Sequence, residues 1–161
     1  ESTREVLEAL QQTGVAVGKV QISSALHIPG HPNAEHLALL QVLTDDPYLH
    51  QVRGTDPHGQ PGGFPDVPAY LASSAPAAWS DLRIHCHVPV SSSEFQSGLH
   101  ATAWMPAVDL ALAQGITTFE LETYTLPVLP PALLEAQGPI GTMVAESLAC
   151  MQALKLDTTT A

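Results

Sequence analysis

Alternation of apolar and polar side chains marks two segments of this chain as strands covered on one side. In Arg83-Ile84-His85-Cys86-His87-Val88 the apolar Ile84, Cys86 and Val88 share one face and His85 and His87 the other, since successive strand side chains point to opposite sides. Thr118-Phe119-Glu120-Leu121-Glu122-Thr123 repeats the arrangement, with Glu120 and Glu122 opposite Phe119 and Leu121. A third strand is expected over Val15 to Ser23, rich in β-branched residues and carrying Gln21 on its polar face, and a short fourth over Tyr48 to Val52, which includes His50.

Helical spacing fills the intervals. Ser2-Thr3-Arg4-Glu5 reads as a capping box ahead of Val6, Leu7, Ala9 and Leu10, and Gly14 stops that helix. Asn33 is placed to cap a helix over Ala34 to Leu43, with Leu37, Leu40 and Leu43 facing the core. Asp66 caps a short helix through Tyr70 and Leu71, and Pro106 opens another that runs to Gly115. The last helix, Ile140 to about Leu156, is expected to bury the stripe Ile140, Val144, Leu148 and Met151. Arg53 to Pro65 and Ser91 to Ala103 read as loops, and Asp157 to Ala161 as a disordered tail, leaving residues 1–156 as a single domain.

Alternating helices and strands predict parallel βαβ units, and strands with one polar face favour a barrel lumen over an open sheet covered on both sides. The expected fold is therefore α/β of the (β/α)8 TIM-barrel type. A full barrel takes about 250 residues, and 161 residues with four candidate strands supply roughly its C-terminal half. A half-barrel leaves open edges, so the expectation is a fragment of a longer chain, a self-paired copy, or a second chain carrying the missing N-terminal half-barrel. The chain begins on Glu1 rather than Met, which agrees with an expected start further upstream.

Composition narrows the partners. Five Lys plus Arg against sixteen Asp plus Glu give a net charge of -11, which leaves little to grip phosphate backbones, so no nucleic-acid partner is expected. No apolar run reaches the roughly eighteen residues of a membrane helix and no signal segment is recognisable, so no membrane insertion and a cytoplasmic location are expected. Cys86 and Cys150 lack a metal or disulfide spacing and read as reduced core thiols. A serine nucleophile elbow and a P-loop are both absent, Gly62-Gly63 lacking the Gly-Lys-Ser/Thr ending.

The chemistry sits at the strand ends. His85 and His87 on one face are candidate metal ligands, or polar residues lining a lumen. Glu120 and Glu122 are candidate catalytic carboxylates, since two acids in one low-dielectric space push their pKa values apart; the plainer reading pairs them with Lys19, Arg83 or the histidines. Glu122 is also a candidate metal ligand, and Gln21, His50 and Tyr124 are candidate substrate contacts. His27, His31, His36, His58 and His100 lack ligand spacing and are expected to face solvent.

The strings KVQISSAL (Lys19 to Leu26), YLHQV (Tyr48 to Val52), HCHVPV (His85 to Val90) and above all ELETYTLPVLP (Glu120 to Pro130) resemble the C-terminal part of EboE-type metabolite-traffic proteins. Those belong to the xylose-isomerase-like TIM barrels. The resemblance implies a divalent ion at the strand ends beside a small sugar-like or hydroxy-carbonyl metabolite, with Glu122 as the last-strand carboxylate and His87 as the strand-end histidine. Oxygen ligands suit Mg or Mn, and imidazoles shift the preference toward Mn or Zn. Two functions follow: an isomerase or epimerase moving a proton beside a metal-polarised carbonyl, or a non-catalytic barrel that binds or hands on a metabolite. The family's Asp- and Glu-bearing upstream strands are missing here, and Leu126 stands where Trp usually follows its ETYT string.

Overall fold

A computed structural model describes residues 3–45, 48–122, 126, 129–134 and 138–156. The expected half-barrel is not what the chain forms. Its described residues fold into a mixed α/β domain with a five-stranded antiparallel sheet and a separate two-stranded parallel one, and form no closed barrel.

The larger sheet runs in the order β4 (Pro61–Phe64), β3 (Val52–Thr55), β5 (Ser80–Val88), β2 (Ser24–Ile28), β6 (His100–Ala101), with every neighbouring pair antiparallel. Its register aligns the apolar positions. Leu26 faces Ile84, and Ile84 faces Val52, which faces Phe64, so one cross-strand row is apolar, and Leu26, Ile84 and Val52 are fully buried. A one-residue slip of a strand would carry its apolar residues to the opposite face, so burial fixes the register. The next row, one residue along each strand, is polar and lies on the other face: His100, His27, Arg83, Arg53 and Gly63.

The smaller sheet pairs β1 (Val20–Ile22) with β7 (Phe119–Leu121) in parallel, Gln21 opposite Glu120. β1 and β2 are a nearly continuous extended run interrupted at Ser23, so this one stretch of chain serves both sheets. The strand expected over Val15 to Ser23 is thereby shortened at its start. The loop expected over Arg53 to Pro65 is instead the β3–β4 hairpin, in which glycines occupy ladder positions: Gly54 opposite Gly62, and Gly63 opposite Arg53.

The main core lies between the inner face of the large sheet and the helices α2 (Ala34–Val42) and α3 (Val67–Leu71), with Leu126, Leu129 and Leu133 completing it. Asn33 caps α2 as expected, its side chain accepting from the His36 backbone N–H at 2.9 Å, and Asp66 caps α3 through the Val67 N–H at 2.8 Å. A second cluster, Ile22, Val90, Val108 and Cys150, joins the small sheet to α4 (Met105–Ala113) and α5 (Gly138–Ala153), and α1 (Thr3–Gln12) adds Leu7 against Ala111 and Ile116. Both cysteines are free and buried.

The last helix departs from its apolar pattern. Ile140, Val144 and Leu148 are exposed, and α5 packs instead through Thr142, Glu146 and Cys150. The reason is a backbone demand: where β5 has ended, the Val90 N–H donates to the Glu146 carboxylate at 3.1 Å, while the Val90 carbonyl accepts from the Trp104 indole at 3.0 Å. Burial, and then the Glu146 charge, push the Cys150 thiol up to about 11. Among the described residues, no helix is long and apolar enough to cross a membrane.

Candidate functional site

The outer face of β5 carries Asp81, Arg83, His85 and His87 in alternation, since Leu82, Ile84, Cys86 and Val88 are all buried on the core side. His85 is exposed, whereas His87, at the end of the strand, is 8% exposed. Their Nε2 atoms lie 3.0 Å apart. Glu122 follows β7 directly, its backbone N–H donating to the Ile22 carbonyl, and brings its carboxylate 3.5 Å from Nδ1 of His87. The two sheets thus meet at this cluster, His87 from the large one and Glu122 from the small one.

His50 forms the fourth side. It is 2% exposed, its backbone N–H donates to Asp66 at 2.9 Å, and its ring Nδ1–H donates to the His85 carbonyl at 3.1 Å, the His85 N–H in turn donating to the Gln51 carbonyl. Burial holds the His87 imidazole below its ordinary pKa; Glu122 pulls the other way, and the neighbouring His85 and His50 add to the depression. His87 is therefore neutral at pH 7. With a carboxylate facing Nδ1, the favourable tautomer keeps the proton on Nδ1 and leaves Nε2 as an acceptor. It follows that His85 donates its Nε2–H to His87, and that the remaining lone pair of His85, on Nδ1, belongs to the exposed ring.

The other expected site residues separate. Glu120 lies on the surface of the small sheet in an ion pair with Lys19, the plainer of its two sequence readings. Gln21 is exposed directly opposite Glu120 on β1, away from the histidine cluster in register. Tyr124 lies outside the described residues. Of the histidines expected in solvent, His36 is buried, closing a capping box with Asn33 and bonding the Ser97 carbonyl at 2.8 Å. His27 is paired with Asp81 at 2.7 Å. Sequence reading passed over Arg53 and Arg83 as site residues, although a chain with so few cations that puts two of them in strands carries that signal.

Glu122 meets His87 at the nitrogen opposite the one that meets His85, so His85, His87 and Glu122 do not converge on a common point. Among the described residues, no group of three His, Cys, Asp or Glu side chains is placed to hold an ion. The imidazole pair alone fits one: an Nε2 separation of 3.0 Å matches two cis ligands at about 2.1 Å from an ion. Glu122 would then stand behind His87 as the carboxylate that orients a ligating histidine.

Comparison with protein-family models, with curated proteins and with solved structures finds no match to this chain. The likeness to EboE-type proteins accordingly rests on its own sequence strings.

Proposed function

We propose that the His85–His87–Glu122 cluster is an acid–base site for a small hydroxy-carbonyl metabolite, working by isomerase- or epimerase-type proton transfer. The observation that carries this reading is the line of groups from an exposed imidazole, through a buried neutral one, to a carboxylate. His85 Nδ1 takes the proton from the carbon beside the substrate carbonyl, whose oxygen receives the electron pair as an enediolate. The Nε2 proton of His85 passes to His87, and Glu122 stabilises the imidazolium formed there. Return of the proton to the neighbouring carbon, while the hydroxyl proton of the deprotonated carbon passes to the enediolate oxygen and that carbon becomes the new carbonyl, yields the isomer; return to the same carbon, once the enediolate has turned its other face to His85, yields the epimer.

A divalent ion is the second reading, supported by the close approach of the two Nε2 atoms. His85 and His87 would hold it with Glu122 behind His87, and the ion would polarise the substrate's carbonyl or hydroxyl oxygen. Titration calorimetry with Zn or Mn separates the two readings: an ion bound by the wild type and lost in His85→Ala supports it, and no uptake of either ion removes it.

Incubating the chain in D2O with a ketose and aldose panel, and following loss of the C–H proton signal, tests the acid–base reading. The expected outcome is exchange that falls about 100-fold or more in His85→Ala and less steeply in Glu122→Gln. Saturable binding without exchange would instead favour the metabolite-binding or traffic function.

A further inference from the structure

The polar row on the outer face of the large sheet sets two arginines directly opposite each other. Arg53 pairs with Arg83 across β3 and β5, and His27 continues the row on β2. Facing residues in an antiparallel pair have Cβ atoms about 5 Å apart, and like charges in that relation are destabilising. Two of the chain's five Lys plus Arg are thus set side by side on one face.

One acid enters the row. Asp81, at φ 51, reaches the Arg83 guanidinium at 3.1 Å and His27 at 2.7 Å, and these contacts hold its carboxyl below the usual range, the His27 hydrogen bond first. Arg53 has no carboxylate partner among the described residues; its Nη1 makes only a long 3.4 Å contact to the Val52 carbonyl. Beside the pair lies a cavity of about 470 Å3 whose lining includes both arginines, the Asp81 that pairs with Arg83, Thr55, and the glycines at 54, 62 and 63. A Cβ on Gly63 would stand 2.3 Å from the Val52 carbonyl oxygen and 2.6 Å from Nη1 of Arg53, so glycine is what lets this guanidinium lie across the hairpin backbone.

We infer that Arg53 and Arg83 form an oxyanion-binding site on the open face of the sheet, for a small molecule bearing a phosphate or carboxylate group. Two guanidinium forks facing a glycine-walled cavity present donors in the planar geometry such groups accept, and an anion between them removes the Arg53–Arg83 repulsion that Asp81 relieves on one side only. The site involves none of His85, His87 or Glu122 and stands or falls separately from their chemistry.

The test is a titration of the full chain with inorganic phosphate and, separately, with succinate, following the arginine Nε–H signals by 1H–15N NMR against sodium chloride of equal ionic strength. Saturable shifts of the Arg53 and Arg83 signals are expected with one of the two anions, which then names the ligand class, with affinity falling at least 10-fold in Arg53→Gln and unchanged in Lys19→Gln. Arg53→Lys, which keeps the charge and loses the fork, is expected to retain an intermediate affinity and confirms that the hairpin tolerates a change there. Shifts that chloride reproduces, or binding equal in Arg53→Gln and wild type, would overturn the inference.

Discussion

His87 is a histidine whose surroundings work against its own charge. Its folded pKa is depressed below the ordinary 6.5, so the unfolded chain takes up the proton more readily than the native one. The stability this neutral ring contributes is complete above 6.5 and is lost as pH falls from there toward the depressed folded value. Asp81 acts in a separate window: its folded pKa lies below the ordinary 3.8, so its contribution is present above 3.8 and lost as pH falls through the folded value. Urea midpoints measured from pH 7.5 to pH 3 are therefore expected to decline in two steps. His87→Gln should flatten the first and leave the second, and Asp81→Asn should do the reverse; a first step that persists in His87→Gln would show that another group sets it.

At the scale of elements, the chain's own local signals succeed where caps decide and fail where tertiary contacts do. Asn33 and Asp66 start their helices where the sequence places them, because an N-cap is a contact within a few residues. The apolar periodicity of α5 is real but does not mark its buried face, which instead carries the Glu146 that accepts from Val90, a residue far away in sequence. Substitutions separate the two faces. Ile140, 78% exposed, should change to Ser at a cost of no more than about 0.5 kcal/mol. Glu146→Leu should cost about 1–3 kcal/mol by leaving the Val90 N–H without its acceptor, and Leu40→Ala, in the main core, about 2–5 kcal/mol. Chemical denaturation of the three variants measures the order, and an Ile140→Ser loss as large as that of Leu40→Ala would put the stripe inside a packed interface.

On the scale of the whole molecule, the sequence showed which residues share a strand face but not which way neighbouring strands run. Alternation in Arg83 to Val88 and in Phe119 to Glu122 revealed both polar faces, and the pairing of His87 with Glu122 was among the plainer readings open to it. Barrel topology did not follow, because alternating strands and helices suit parallel crossovers and hairpins alike, and the glycines at 54, 62 and 63 disguised a hairpin as a loop. The antiparallel direction of β3 and β4 comes from their direct hairpin connection, and the register across the sheet from long-range burial of Leu26, Ile84 and Val52 in a single row. That same topology assembles the candidate site, drawing His50 from the segment before β3, His85 and His87 from β5, and Glu122 from the other sheet.

Long-range 1H–15N NMR of the imidazoles as a function of pH reads out whether a neutral His87 is linked to Glu122 through one nitrogen and to His85 through the other. His87 is expected to carry its proton on Nδ1 at pH 7 and to titrate below 6.5. Glu122→Gln should lower that titration further, since the carboxylate is the one neighbour that favours the charged ring. A His87 protonated on Nε2 when neutral, or titrating at or above 6.5, would contradict this linkage.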